Sequence, residues 1–142
     1  MKLLIHVGLH RAGSTSFQNW LVARRDDWAG RRVFVHDRMS GGRTASPFAI
    51  LVNSHASAME PAAMARFLHS SLLDLGEHFD AGIVSDENLL GPMAGPHVKP
   101  FRRLDYLGAV LDRLGEHHEI VPVVVLRQHV AWLASLWRTD RS

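Results

Sequence analysis

The stretch that decides the fold is residues 2–18, which read KLLIHVGLHRAGSTSFQ. Residues 2–7 are mostly apolar and are followed by Gly8, a pattern typical of a short buried β-strand. Apolar residues then recur at helical spacing over residues 14–25, which predicts an amphipathic helix. A strand, a glycine-containing loop and a helix in direct succession predict the start of a β–α–β unit, in which the strands are parallel.

The same alternation continues along the rest of the chain. Further strand-like runs occupy 32–36, 81–85 and 120–126. Helical spacing of apolar residues recurs in 47–53, 61–76, 104–115 and 130–138, and glycine- and proline-rich loops occupy 39–44 and 91–100. This order predicts a single domain over residues 1–142, with an α/β fold of three layers (α/β/α) around a parallel sheet. Ligands of such folds bind at the carboxyl edge of the sheet, just after the strands.

The composition fits a globular domain and excludes several classes of protein. The chain has 142 residues, of which 46% are hydrophobic and 21% charged, and it has no cysteine. No apolar run approaches the roughly 20 residues of a membrane helix, and disulfides, thiolate catalysis and cysteine-ligated zinc are excluded. The net charge is only +2, and the basic residues often stand beside acids instead of forming a one-sided stripe. We therefore expect a cytoplasmic protein that binds neither nucleic acid nor membrane.

The loop after the first predicted strand is related to a phosphate-binding pattern but departs from it. Residues 8–16 read GLHRAGSTS, in which both glycines have the spacing of G-x-x-x-x-G-K-[ST] and Thr15 has the hydroxyl position. Ser14 stands where that pattern has lysine, and the cation of the loop is Arg11. Backbone amides of residues 12–15, at a helix N-terminus, still suit a phosphate. A cation in the middle of the loop does not match a nucleoside-triphosphate hydrolase.

A second pair of polar residues follows the last predicted strand. Arg127 comes directly after the apolar run, and Ser135 follows eight residues later within a predicted helix. An arginine supplies a planar charged fork for phosphate oxygens. The serine adds a hydroxyl about two helical turns further on.

Together the two segments resemble the sulfotransferase family, especially its bacterial branch. Residues 6–18 resemble the loop that binds the 5′-phosphosulfate of the donor, with Arg11 for the usual lysine and Ala12 for a hydroxyl residue. Arg127 and Ser135 resemble the pair that binds the 3′-phosphate. The resemblance implies a P-loop NTPase-like fold of the sulfotransferase type, a donor that is 3′-phosphoadenosine 5′-phosphosulfate (PAPS), no metal, and sulfuryl transfer to an acceptor hydroxyl or amine. It assigns donor binding to Gly8, His10, Arg11, Ala12, Gly13, Ser14, Thr15, Ser16, Arg127 and Ser135.

The catalytic candidates are Arg11, Glu87 and His36. Arg11 would stabilise the charge that develops on the departing phosphate oxygen. Residues 83–89, IVSDENL, resemble a Ser-x-Glu-x-Leu segment of the bacterial sulfotransferases, and Glu87 is a candidate general base. The alternative is structural: Asp86 or Glu87 caps the next turn or pairs with an arginine. His36, at the end of a predicted strand, is the reserve base.

Two alternative functions stay open at this level. An Asp86–Glu87 magnesium site would suit a P-loop kinase-like nucleotide enzyme, and a non-catalytic protein that binds PAPS or its product PAP is the third interpretation.

The ten histidines predict scattered surface positions instead of a metal site, because His117 and His118 are adjacent and no H-E-x-x-H occurs. The four tryptophans are expected in the core. Since Ser142 follows Ser135 so closely, the resemblance also implies the donor-binding front portion of a larger domain, with an acceptor that the sequence does not name.

Overall fold

Four strands and five α-helices form the described part of the protein. The computed structural model describes residues 1–8, 14–37, 47–52, 59–91 and 101–125. The strands are β1 (Lys2–Gly8), β2 (Val33–Asp37), β3 (Ala81–Ser85) and β4 (Glu119–Val125). The helices are α1 (Ser14–Ala23), α2 (Arg25–Gly30), α3 (Ala49–Val52), α4 (Pro61–Gly76) and α5 (Leu104–Gly115), and a 3-10 turn occupies Glu87–Leu90. None of the helices in these ranges is long and apolar enough to cross a membrane.

The strands form one sheet in the order β2-β3-β1-β4, and every neighbouring pair is parallel. The predicted α/β fold with a parallel sheet flanked by helices is therefore confirmed. β1 lies inside the sheet, between β3 and β4, although it comes first in the sequence. An inner strand of a parallel sheet is covered on both faces, which explains why β1 is a nearly continuous apolar run.

The two faces of the sheet carry different side chains because successive residues of a strand point to opposite sides. Leu3, Ile5 and Val7 of β1 are buried on one face, where they join the main core beneath α4 and α5. The other members of this core include Met64, Leu68, Leu72, Val84, Leu107, Val110 and Leu114. His6 points to the opposite face, which carries α1.

Gly82 of β3 is required by the side chain beside it. It is in register with Phe34 of β2, and a Cβ atom at Gly82 would overlap the ring of Phe34. That ring also packs against Phe48 and Phe79, so it has little room to move away. A glycine in a strand leaves space for an aromatic neighbour of this kind.

The helix predicted over residues 14–25 is interrupted. α1 ends at Ala23, and Arg24 adopts a non-helical conformation before α2 begins. The guanidinium of Arg24 lies 5.1 Å from the centroid of the Trp20 ring, a distance typical of a cation–π contact.

The prediction that the tryptophans lie in the core is wrong for Trp20. Its side chain is 43% exposed, stacks on Phe17 and packs edge-on against Trp28 on the surface of α1 and α2. The cation of Arg24 and the two rings cover its faces, which makes partial exposure of this large side chain tolerable. Trp132 and Trp137 lie outside the described residues.

The order of the strands gives a topological switch point between β1 and β3. These strands are neighbours, but the chain leaving β1 runs toward β2, whereas the chain leaving β3 runs in the opposite direction, toward β4. Ligands of open α/β sheets bind at the carboxyl edge beside such a switch point. In the sequence, the candidate loop follows β1 and Glu87 follows β3.

Candidate functional site at the carboxyl edge of β1 and β3

The first part of the site is a buried hydrogen-bonded group that links three elements. Nδ1 of His6 on β1 lies 2.8 Å from Oγ of Ser85, its register partner on β3. The side-chain Nε2 of Gln18 on α1 donates to the carbonyl oxygen of Ser85 at 3.2 Å. Phe17 of α1 packs edge-on against the His6 ring, with 4.7 Å between centroids. The first turn of α1 is thereby held over the ends of β1 and β3.

Burial decides the charge of His6. The side chain is only 1% exposed, and this burial lowers the pKa of His6 below its usual value of 6.5. Because desolvation disfavours the imidazolium, the ring is neutral at neutral pH and has one donor and one acceptor nitrogen. Nδ1 contacts Ser85, and Nε2 has no hydrogen-bond partner among the residues that the structure describes.

The start of α1 supplies the second part of the site. Gly8 is the last residue of β1, and Ser14 is the first residue of α1. Thr15 and Ser16 lie exposed in the first turn, and that turn contains no acidic side chain. The positive end of the helix dipole therefore lies at this edge of the sheet, an arrangement that favours an anion.

The acidic pair after β3 has two different roles. Asp86 caps the 3-10 turn, because its Oδ1 accepts a hydrogen bond from the backbone N–H of Asn88 at 2.8 Å. Capping by Asp86 is the structural alternative that the sequence had left open. Glu87 follows as the first residue of the turn and is buried. Glu87 thus stands two residues past the end of β3, and its role as a general base stays a prediction.

His36 is also buried, but it points to the other face of the sheet. It is in register with Val84 of β3, and its ring packs against Phe48 on the side of the main core. β2 is separated from β1 by β3, so His36 is two strands away from the candidate loop.

Several predicted site residues fall outside the described ranges. These are His10, Arg11, Ala12 and Gly13 in the loop, and Arg127 and Ser135 after β4. Within the described ranges, no group of three or more histidine, aspartate or glutamate side chains is arranged to hold a metal ion.

No family model, curated protein or solved structure matches the chain.

Sequence reasoning missed three buried polar residues that shape this edge. His6 and Gln18 flank the loop, and the sequence motif assigned neither of them a role of its own. The third, Arg103, precedes α5; its guanidinium is buried and donates to the carbonyl oxygen of Leu51 at 3.2 Å. Burial lowers the pKa of Arg103 below its usual value. His6 could have been predicted from the sequence, because it is a polar residue inside an otherwise apolar strand, KLLIHVG.

A separate histidine cluster lies where α4 approaches the start of β4, at the opposite edge of the sheet. Nδ1 of His69 is 3.0 Å from Nε2 of His118, and the His69 ring also packs against His117, with centroids 4.4 Å apart. His118 is 8% exposed, so the expectation of scattered surface histidines is wrong for His118, as it is for the buried His6 and His36. Burial, the amino terminus and the two neighbouring histidines lower the pKa of His118 to about 4.

Proposed function

We propose that the protein binds PAPS at the carboxyl edge of β1 and β3 and transfers its sulfuryl group to an acceptor hydroxyl or amine. The observation that supports this most is the start of α1. Its first turn lacks acidic residues and follows the G-x-x-x-x-G loop, at the topological switch point between β1 and β3. We also propose that the parallel sheet belongs to a P-loop-like fold of the sulfotransferase type.

In the proposed reaction, the acceptor oxygen or nitrogen attacks sulfur in line with the bond to the 5′-phosphate oxygen. A bond from the acceptor to sulfur forms, the bond between sulfur and the phosphate oxygen breaks, and the electron pair stays on PAP. The acceptor proton passes to a base, for which Glu87 is the candidate. Arg11 and the amides of the loop would stabilise the negative charge that grows on PAP, by about 3 kcal/mol for one well-placed donor.

The test is a thermal-shift titration of the purified protein. We expect PAP to raise the Tm in the presence of EDTA, because the anion would be held by backbone amides and arginines without a metal. A shift of several degrees at saturating PAP is expected, since a ligand at 100 times its Kd stabilises by about 2.7 kcal/mol. Adenosine, which lacks both phosphates, is the matched control and is expected to give little shift.

The kinase-like alternative makes the opposite prediction. If only ATP with Mg²⁺ raised the Tm, the PAPS proposal would be wrong. If PAP bound but no sulfate moved from labelled PAPS to any of a panel of glycans, lipids and phenols, the non-catalytic alternative would be favoured.

A further inference from the structure

A hollow of about 220 Å³ lies between α4 and the end of α5, and none of the residues that line it belongs to the candidate site described above. Its polar lining consists of Arg66 and His69 on α4, Arg113 on α5, and Glu116 and His117 directly after α5. Drug-sized ligands occupy pockets of roughly 300–1,000 Å³. The α4–α5 hollow therefore suits a smaller molecule than PAPS.

The two arginines of the hollow have no partner in the part of the chain that the structure describes. The guanidinium groups of Arg66 and Arg113 make no hydrogen bond or ion pair there, and Glu116 pairs with neither of them. Each guanidinium has five N–H donors in a planar fork that matches phosphate oxygens. Unpaired arginines are common on protein surfaces, so the case for a site depends on the histidines beside them.

A buried histidine determines which nitrogen of His69 carries a proton. His118 is 8% exposed, and this burial lowers its pKa to about 4, so its ring is neutral at neutral pH and has one N–H group. Nε2 of His118 lies 3.0 Å from Nδ1 of His69, whereas its Nδ1 has no partner among the described residues. A proton on Nδ1 would be a buried donor without an acceptor, but a proton on Nε2 is donated to His69. His69 therefore accepts at Nδ1 and carries its own proton on Nε2.

The burial of His118 is better explained by this hydrogen bond than by stability. An apolar side chain at position 118 would avoid the cost of burying a polar ring. The bond to His69 fixes the tautomer of a residue that lines the hollow, because the partner of one ring nitrogen decides the state of the other. The N–H group at Nε2 of His69 is thereby available to a ligand, next to the two arginines.

We propose that the α4–α5 hollow binds the phosphate group of a small phosphate ester, with Arg66 and Arg113 paired to its oxygens and Nε2 of His69 as a further donor. This site is separate from the proposed PAPS site and does not depend on it. Glu116 would repel an anion that offers it nothing in return. The ligand is therefore an ester that also carries a hydroxyl or ammonium group, which donates to Glu116.

The probe is glycerol 3-phosphate, which combines a phosphate ester with hydroxyl groups. Its binding to the full chain is followed in ¹H–¹⁵N spectra of the ring nitrogens of His69 and His117, since a local signal separates the hollow from phosphate bound elsewhere. Arg66→Gln and Arg113→Gln each remove one charge from the hollow. Arg31→Gln removes the same charge from an exposed position after α2 and is the matched control.

We expect saturable shifts of the His69 signals in the wild-type protein. Arg66→Gln and Arg113→Gln should each weaken binding about tenfold, which corresponds to the loss of one hydrogen bond to a charged group. Arg31→Gln should keep the affinity within about twofold, because exposed charges at a distance are screened. Methyl phosphate, which has no hydroxyl group, should bind more weakly than glycerol 3-phosphate, and Glu116→Ala should remove that difference.

Several results would overturn the proposal. The His69 signals could fail to shift, or shift equally in the wild-type protein and in Arg66→Gln and Arg113→Gln. The spectra could also show that the proton of His69 resides on Nδ1, and equal binding of the two esters would exclude the role of Glu116. Vesicles of phosphatidylcholine with phosphatidic acid form the last arm. Binding to these vesicles that needs both arginines, without binding of glycerol 3-phosphate, would place the phosphate on a lipid headgroup and contradict a small-molecule ligand.

Discussion

Arg11 and Arg127 would have different tasks in the proposed donor site, although both would bind phosphate oxygens. Arg11 would act at the bond to be broken, where charge develops as sulfur departs. Arg127 follows β4 and would bind the 3′-phosphate, which does not change during the reaction. An interaction that strengthens only in the transition state raises kcat, whereas one that is equal in both states lowers only KM.

Alanine variants separate these tasks. At saturating PAPS, Arg11→Ala should reduce turnover by about 100-fold or more, whereas Arg127→Ala should raise the KM for PAPS and leave kcat within a few-fold of the wild type. Sulfate transfer from labelled PAPS measures both constants. Equal losses of kcat in the two variants would contradict the assignment.

At the residue scale, the sequence predicted the candidate site residues that belong to a sequence motif. It missed the residues whose contacts depend on which strands pair. Glu87 could be proposed because it follows an apolar strand within a recognisable segment. The bond between His6 and Ser85 could not, because it depends on the register of β1 against β3, and these residues are 79 apart in the chain. Hydrophobic periodicity indicates that a strand exists but does not say which strand lies beside it.

At the scale of elements, local signals were sufficient for most boundaries. The predicted helices 61–76 and 104–115 coincide with α4 and α5, because a proline begins the first of them and a glycine ends each. The interruption at Arg24 was missed, since Arg24 and Arg25 are good helix formers and no glycine or proline marks the break. The contact of Arg24 with Trp20 is tertiary information that propensity does not contain.

The buried and exposed positions of α5 should differ in how much a substitution destabilises the fold. Leu114 is fully buried in the main core, whereas Leu104, at the start of the same helix, is 53% exposed. Leu114→Ala should lower the free energy of unfolding by about 2–5 kcal/mol, because a cavity remains in the core. Leu104→Ala should cost less than about 1 kcal/mol. Urea denaturation followed by circular dichroism measures both, and similar losses in the two variants would show that α5 is not packed as described.

At the scale of the whole molecule, His118 couples stability to pH. Its pKa is lowered to about 4 in the folded protein, whereas an unfolded histidine has a pKa of about 6.5. Between these values the unfolded chain binds a proton that the folded protein does not, so stability rises with pH. The contribution of His118 is fully present above about pH 6.5 and is lost as the pH falls toward 4.

We expect the wild-type protein to lose about 2.5 kcal/mol more than His118→Phe when the pH is lowered from about 7 to about 4.5. The phenylalanine variant keeps a buried ring but cannot be protonated. Other titrating groups affect both proteins alike, so the difference between the two losses of stability reports His118 alone. Urea unfolding at the two pH values gives the difference. Equal losses in the two proteins would mean that His118 titrates normally in the folded state.

The central position of β1 has a consequence for how the protein folds as it is made. β1 leaves the ribosome first, yet its partners are β3, beginning at Ala81, and β4, beginning at Glu119. Contacts this distant in sequence form slowly, because closing a long loop costs conformational entropy before the strand pairing can offset that cost. Until residue 125 has been synthesised, one edge of β1 is an unpaired row of N–H and C=O groups beside apolar side chains. The nascent chain is therefore prone to aggregation until β4 emerges, and a chaperone that covers β1 during that interval would be expected to raise the yield of folded protein.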